Sequence, residues 1–397
     1  MLAKNVNDNA CILDTRGAYK FFASKLAPTS GLMRWSPPHP ARATLSQGVL
    51  FLEAIIMSES ALIGIDLGKH NFHLLGQDKS GREVFRKKLS RAQMMRFFGN
   101  LPSCVVVTEA CAGSHFIARQ LAAMGHTTKL ISPQFVRPFV KGNKNDFIDA
   151  EAICEAASRP SMRFVTPKTE SQQTLSVLHR MRESLVHDRT KTANQMHGFL
   201  LEFGISLPKG SAIMKRLAAV LAEHELPVRL TVLLQRLHDH FVYLDEQIKE
   251  LDKQLACQLA DDDLGSRLLS MPCVGPITAS LLAVEMGDGK QYRCSRDFAA
   301  SVGLVPRQYS TGGKANLLGI SKRGDKHLRQ LLVQCSRVYM QRLDHQKGAL
   351  ADWVRALLRR RHSNVVACAL ANKLARIAWA IAAHHAQYEA GPDALNA

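Results

Sequence analysis

The stretch from residue 170 to residue 260 restricts the fold more than any other. It is rich in polar residues and holds few glycines. Apolar residues recur at three- and four-residue steps in two segments, TLSVLHRMRESLVHDRTKTANQMHGFLLEF and LTVLLQRLHDHFVYLDEQIKELDKQLACQL. That spacing lines one face of an α-helix. Two long helices joined near residues 204–227 are expected, paired as an antiparallel hairpin or as an intermolecular coiled coil. The Arg, Lys and His residues along them leave two readings open: a solvated spacer, or an arm for dimerisation and for spanning DNA or RNA.

The text on either side follows other periods. From Ala61, ALIGIDLGKHNFHLLGQDKSGREVFRKKL gives an apolar strand ending in Asp66, a glycine turn, a second alternating strand and a hairpin turn at Lys79-Ser80-Gly81. SCVVVTEA is a buried strand ending at Glu109, followed by a helix through HFIARQLAAMG, a strand at TTKLISP and a helix over residues 144–158. Strands interleaved with helices predict an α/β layer. Residues 264–397 read as mainly helical, opening with LLSMPCVGPITASLLAVEMGD and closing with SNVVACALANKLARIAWAIAAHHA. The N-terminal residues fit neither pattern: Pro37, Pro38 and Pro40 interrupt any period, and GVLFLEAIIM is too short to span a bilayer and lacks the flanks of a secretory signal. Met57 is read as the natural start. The expected organisation is a poorly ordered extension over 1–57, an α/β domain over 58–160, a helical arm over 161–262 and a C-terminal domain over 263–397.

Charge narrows the partners. Lys and Arg number 52 against 34 Asp and Glu, a formal net charge of +18 on 397 residues. A chain so basic is expected to bind a polyanion, because each cation on a phosphate releases a condensed counterion. None of the nine cysteines forms a Cys-x-x-Cys pair, so neither a zinc ribbon nor a redox dithiol is suggested. Cys104, Cys154, Cys335 and Cys368 sit among apolar residues and read as reduced core cysteines of a cytosolic protein. No run of about 18 apolar residues is present, so no membrane span is expected.

Three constellations carry chemistry. Asp66 and Glu109 end two strands, and Asp146 and Asp149 stand three apart on one helix face. Any one of them alone is more often a cap or a turn residue. Gathered together, four carboxylates would repel unless divalent cations intervened, and hard oxygen donors suit Mg²⁺ or Mn²⁺. Two such ions about 4 Å apart activate a nucleophile and stabilise the leaving oxygen on a phosphodiester. The second constellation is GLVPRQYSTGGKANLLGISKRGDKHLRQLLVQCSR, which sets Arg307, Lys314, Lys322, Arg323, Lys326, Arg329 and Arg337 against Asp325. Its glycines are expected to break regular structure, leaving a flexible basic loop that cradles phosphate with Ser310 and Thr311 at its tip. Such a serine is ordinarily a turn hydroxyl, yet it could attack phosphate and conserve the bond energy covalently. The third is MPCVGPITAS, where small residues around Gly275 between apolar helices suggest a helix-hairpin-helix grip on duplex backbone. His70 and His73 are read as surface or strand-packing residues rather than ligands.

In series, IGID, VTEA, KNDFIDAEAI, MPCVGPITA and GLVPRQYSTGGKANLLGISKRGDKHLR resemble the DEDD transposases of bacterial insertion sequences, which include the Piv-type DNA invertases. The resemblance covers about Ala61 to the C-terminus. It implies a RuvC-like, RNase H-type domain, a coiled-coil arm and a C-terminal transposase domain. It makes Asp66, Glu109, Asp146 and Asp149 the metal-binding acids and Ser310 the nucleophile. It also implies DNA as substrate, homo-oligomers sharing active sites, and a structured guide RNA. Where the family often reads Lys-Thr-Asp this chain has Lys144-Asn145-Asp146, and Asn caps a helix as Thr does. Thr311, next to the double glycine, is the alternative nucleophile; the less hindered primary hydroxyl favours Ser310. Competing readings are a RuvC-like nuclease using water, a kinase-like ATPase suggested by GIDLG alone, and a non-catalytic nucleic-acid-binding protein.

Overall fold

The computed structural model describes residues 61–142, 145–208, 210 and 213–389. The expected extension over 1–57, with its start at Met57, lies outside the described residues.

Six strands form one mixed sheet. β1 (Leu62–Leu67), β2 (Asn71–Gln77) and β3 (Glu83–Ser90) make an antiparallel meander. The turn into β3 is built on Asp78, whose Oδ1 accepts from the Ser80 hydroxyl at 2.6 Å and from the Ser80 and Arg82 amides at 2.8 and 2.9 Å. These bonds, the Ser80 hydroxyl first, hold the Asp78 carboxyl down to about 2. There follow α1 (Arg91–Gly99), β4 (Val105–Glu109), α2 (Ser114–Ala123), β5 (Thr127–Ile131), the single turn α3 (Pro133–Val136), α4 (Asp146–Ala157) and β6 (Phe164–Val165). The spatial order is β3-β2-β1-β4-β5-β6, with β4 parallel to β1 and β5, and β6 antiparallel to β5. Alternation along the strands gives the sheet two apolar faces. Ile63, Ile65, Phe72, Leu74 and Val106 pack with Met94 and Phe98 of α1 and with Ile117 and Leu121 of α2. Val107 and Ile131 pack on the other side against Ala152 and Ile153 of α4, and Leu75 against Ala150 and Cys154. The α/β reading holds, but it lacked α1 and the two-residue β6.

The arm comes next. α5 (Glu170–Leu201) is started by a capping box in which Thr169 Oγ1 accepts from the Gln172 amide and Gln172 Oε1 accepts from the Thr169 amide. Its partner α7 (Val228–Ala260) returns along it after a connector bearing the short α6 (Leu217–Ala222). Ion pairs Arg182–Asp252 and Arg189–Asp245 form rungs between the two helices, as an antiparallel register requires. Toward the far end Met196, Leu200, Leu234 and Phe241 are buried together. The helices therefore pair within one chain, which is the first of the two expected pairings.

The C-terminal part consists of α8 (Asp263–Leu268), α9 (Pro276–Met286), α10 (Ser295–Ser301), the hairpin β7 (Pro306–Gln308) and β8 (Leu317–Ile320), α11 (Lys326–Gln341), α12 (Ala349–Leu358) and α13 (Ser363–Ala383). α13 is its central helix, burying Val366, Leu370, Leu374, Ile377 and Ile381. It is also the one described helix long and apolar enough to cross a membrane by length and composition, yet 61% of its apolar window is buried inside the protein. The base of the arm is tied here by Lys168, whose Nζ lies 2.6 Å from Glu285 Oε1 on α9. Cys104, Cys154 and Cys335 are buried as expected, whereas Cys368 is only half-buried. All eight described cysteines are free thiols.

Candidate active site: a carboxylate cluster and a basic hairpin

Strand parity brings side chains from three strands to one face. Asp66 on β1 stands directly opposite His73 on β2, and cross-strand partners point the same way. β4 runs parallel to β1 with Ile65 beside Thr108, so Asp66 and Glu109 finish neighbouring strands. This is the face that α4 covers. Gly64, two residues before Asp66, lets the helix approach: a Cβ there would stand 2.5 Å from Cys154 Sγ and 2.6 Å from the Ala150 carbonyl oxygen. α4 begins at the site because Asn145 caps it, its Oδ1 accepting from the Phe147 amide at 2.9 Å. Asp146 and Asp149 thus fall in the first turn, where the helix dipole favours negative charge.

Two of the four predicted acids, Asp66 and Asp146, are brought close together, and Glu109 feels the charge of Asp66 and Asp149. Carboxylate oxygens of Asp66 and Asp146 and a ring nitrogen of His73 all lie within 4.8 Å of one another. The Glu109 carboxyl is pushed up, first by burial and then by the charges of Asp66 and Asp149, so it shares their field. The neighbouring Cys111 thiol is raised by burial and by Glu109 and Asp66 in turn. The cluster is graded: Asp146 is exposed, Asp66 and Asp149 are half-buried, and His73 is buried. His73 is the residue that sequence reasoning passed over. Its Nδ1 lies 3.5 Å from Asp146 Oδ2, and its ring stands edge-on to Phe147. The signal was present in the β1–β2 turn, since a hairpin that pairs Leu67 with Phe72 must set Asp66 against His73. The donor set fits a divalent cation: burial and then the Asp66 and Asp149 charges raise Glu109, and a buried His73 nitrogen beside Asp146 has no hydrogen-bond partner.

Ser310 lies on a structured element, not the flexible loop expected. β7 and β8 pair antiparallel, and the glycines permit this turn instead of preventing it. Gly312 and Gly313 have φ of 56° and 76°, the left-handed pair that closes a two-residue turn between Thr311 and Lys314. Ser310 Oγ accepts from Gln308 Nε2 at 2.7 Å and from the Asn316 amide at 3.2 Å. Arg307, Lys314, Lys322, Arg323 and Lys326 are exposed. Arg329 differs from them. Its Nη1 donates to the carbonyls of Val302, Arg323 and Asp325, so it holds the loop before α11 in place. Among the described residues, the hydrogen bonds of 306–320 stay within the hairpin and none reaches the carboxylates. Gly275 is the exposed N-cap of α9. The helix preceding it, α8, has only six residues and is held by Arg267, whose Nη1 donates to the Ile381 carbonyl at 2.7 Å. The expected pair of apolar helices is therefore one apolar helix and one short polar one.

Comparison with known proteins adds what geometry does not. A family model described as transposase, of the DEDD kind found in IS110 elements, matches residues 63–205. A second, described as the transposase IS116/IS110/IS902 family, matches residues 265–351. The chain is 64% identical over 325 residues to the transposase for insertion sequence element IS1328 of Yersinia enterocolitica, covering 82% of this chain and 97% of that one. The chain belongs to the IS110/IS116 family of DEDD transposases. The transposase is also 46% identical to a probable family 20 transposase of Pseudomonas aeruginosa, over 83% of this chain and 98% of the relative. With the transposase for insertion sequence element IS1111A of Coxiella burnetii it shares 38% identity, over 84% of this chain and 93% of the relative. The first matched stretch of the transposase contains all four acids, and the second contains Ser310, Gly275 and the basic residues.

Proposed function

We propose that this insertion-sequence transposase cuts and rejoins DNA at a centre where Asp66, Glu109, Asp146 and Asp149 hold divalent cations, Mg²⁺ or Mn²⁺, and Ser310 attacks the scissile phosphate. The grouping of Asp66 with Asp146, and of Glu109 within the charge of Asp66 and Asp149, carries the reading, because crowded carboxylates are ready to exchange repulsion for a shared cation. A bound cation would supply positive charge to offset the negative charge growing on the phosphate. Ser310 Oγ accepts two hydrogen bonds, and donors on that oxygen stabilise it as its proton leaves. Attack forms an O–P bond to Ser310 and breaks the bond from phosphorus to the leaving strand's bridging oxygen, which takes up a proton. The serine–DNA link is reversed when a strand hydroxyl attacks and the proton returns to Ser310. Thr311 contributes its carbonyl to the turn, accepting from the Lys314 amide, while the two donors favour Ser310 as nucleophile.

The strand order, with acids at the ends of β1 and β4, supports a RuvC-like, RNase H-type reading of residues 58–160, followed by a coiled-coil arm over 161–262 and a serine-bearing domain over 263–397. Active sites shared in a homo-oligomer would let Ser310 meet the carboxylates of a second copy. The exposed cations Arg307, Lys314, Lys322, Arg323 and Lys326 and the Gly275 turn would grip backbone phosphates of the element ends and target. The net charge of +18 leaves capacity for a structured guide RNA as well.

The test is Ser310→Ala on the purified transposase with element ends and Mg²⁺. Wild type is expected to give DNA retarded on denaturing gels until protease is added, and the variant none. Adducts at wild-type level in Ser310→Ala sink the serine assignment, and free ends without adducts from wild type favour the water-using nuclease. RNase treatment should abolish recombination if RNA guides it.

A further inference from the structure

We infer that His73 is a metal ligand through Nδ1, and that it biases the position shared with Asp66 and Asp146 away from Mg²⁺ and toward first-row transition ions such as Mn²⁺. The inference rests on the carboxylate-site reading above and adds a fifth donor of different chemistry. The imidazole is only 6% exposed, and its buried Nδ1 has no hydrogen-bond partner. A buried nitrogen left without a partner is costly, and native structures retain one mainly where something else engages it. This nitrogen lies 3.5 Å from Asp146 Oδ2, and a ring nitrogen of His73 lies within 4.8 Å of an Asp66 oxygen. The β1–β2 register fixes His73 opposite Asp66. Phe147 packs edge-on against the ring, centroids 4.8 Å apart at 78°, which sets its plane. Backbone and packing thus preorient the ring for coordination. With Nδ1 as the ligand, the ring proton resides on Nε2 and the imidazole is neutral. Carboxylate oxygens alone serve Mg²⁺ well, whereas a nitrogen donor shifts relative affinity toward transition ions.

The experiment compares the full chain with His73→Asn, a variant that keeps a polar group of moderate size. Both are stripped with EDTA and titrated with Mn²⁺, reading free Mn²⁺ by electron paramagnetic resonance, with Mg²⁺ as competitor. Loss of even an outer-shell partner weakens metal binding 10–100-fold, so His73→Asn is expected to cost at least about tenfold in Mn²⁺ affinity and to change Mg²⁺ affinity less. Spin-echo modulation from a directly bound nitrogen should be present in the Mn²⁺-loaded wild type and absent from the variant. Equal Mn²⁺ affinities, or Mn²⁺ bound in wild type without nitrogen coupling, overturn the inference while leaving the carboxylate site standing. A wild type that binds no Mn²⁺ overturns both. Thermal unfolding in EDTA checks the variant's fold. If it fails, ¹⁵N-histidine labelling of wild type decides, because the coupling must then change isotope.

Discussion

Asp66 and His73 reach the same site because a strand's period is two and a hairpin's register is fixed by its turn. At this scale the sequence shows residue types but not their neighbours. The four acids were legible because each closes an apolar strand or opens a helix, whereas His73 in an alternating strand looked like any packed histidine. The same holds for His179. It is buried, its Nε2 is 3.0 Å from Ser280 Oγ, and burial, then the nearby His327 charge, hold its pKa down to about 4 from 6.5. Unfolded chain takes up this proton as pH falls through 6.5, but the folded state only near 4. Stability is therefore complete above pH 6.5 and declines toward pH 4, by about 2 kcal/mol at pH 5. His179→Gln should flatten the urea midpoint between pH 7 and pH 5, with His115 supplying a residual slope because burial also lowers it to about 4. An unchanged slope in the variant would reject the assignment.

At the scale of elements, α4 matters most, since it carries two of the four acids across the strands that hold the others. Its approach depends on Gly64. Gly64→Ala places a methyl against the Ala150 backbone and Cys154, an overpacking worth about 1–3 kcal/mol that lifts the helix from the sheet. The urea midpoint should fall and Mn²⁺ affinity should fall with it. Retention of full metal affinity would mean that the acids converge without close helix packing. The β7–β8 hairpin teaches the opposite lesson about glycine. Four glycines in a basic stretch suggested a flexible loop, but Gly312 and Gly313 supply the left-handed backbone of a tight turn, and Ser310 is held between Gln308 and Asn316.

For the whole molecule, the excess of 18 positive charges governs how it meets DNA, and much of the basic hairpin stands exposed. Arg307→Ala or Lys314→Ala should each lower the slope of log affinity against log salt by about 0.9 and weaken binding alike for all sequences. A slope unchanged by either substitution removes that side chain from the phosphate-contacting set. The arm and the C-terminal core are continuous through Lys168–Glu285 and His179–Ser280, so the base of α5 moves with α9.

Periodicity in the sequence was enough to set out an α/β layer, a long helical pair and a helical C-terminal part, and the placement of acids at element ends identified four site candidates. These are local properties, fixed by which residues sit two, three or four apart. Tertiary structure alone decided that the arm's helices pair within the chain, that the glycine-rich stretch forms a hairpin, that Arg329 is committed to carbonyls, and that His73 joins the acids. Each depends on contacts between residues far apart in the chain or across a turn, whose register is selected by total burial and hydrogen bonding and not by any short segment.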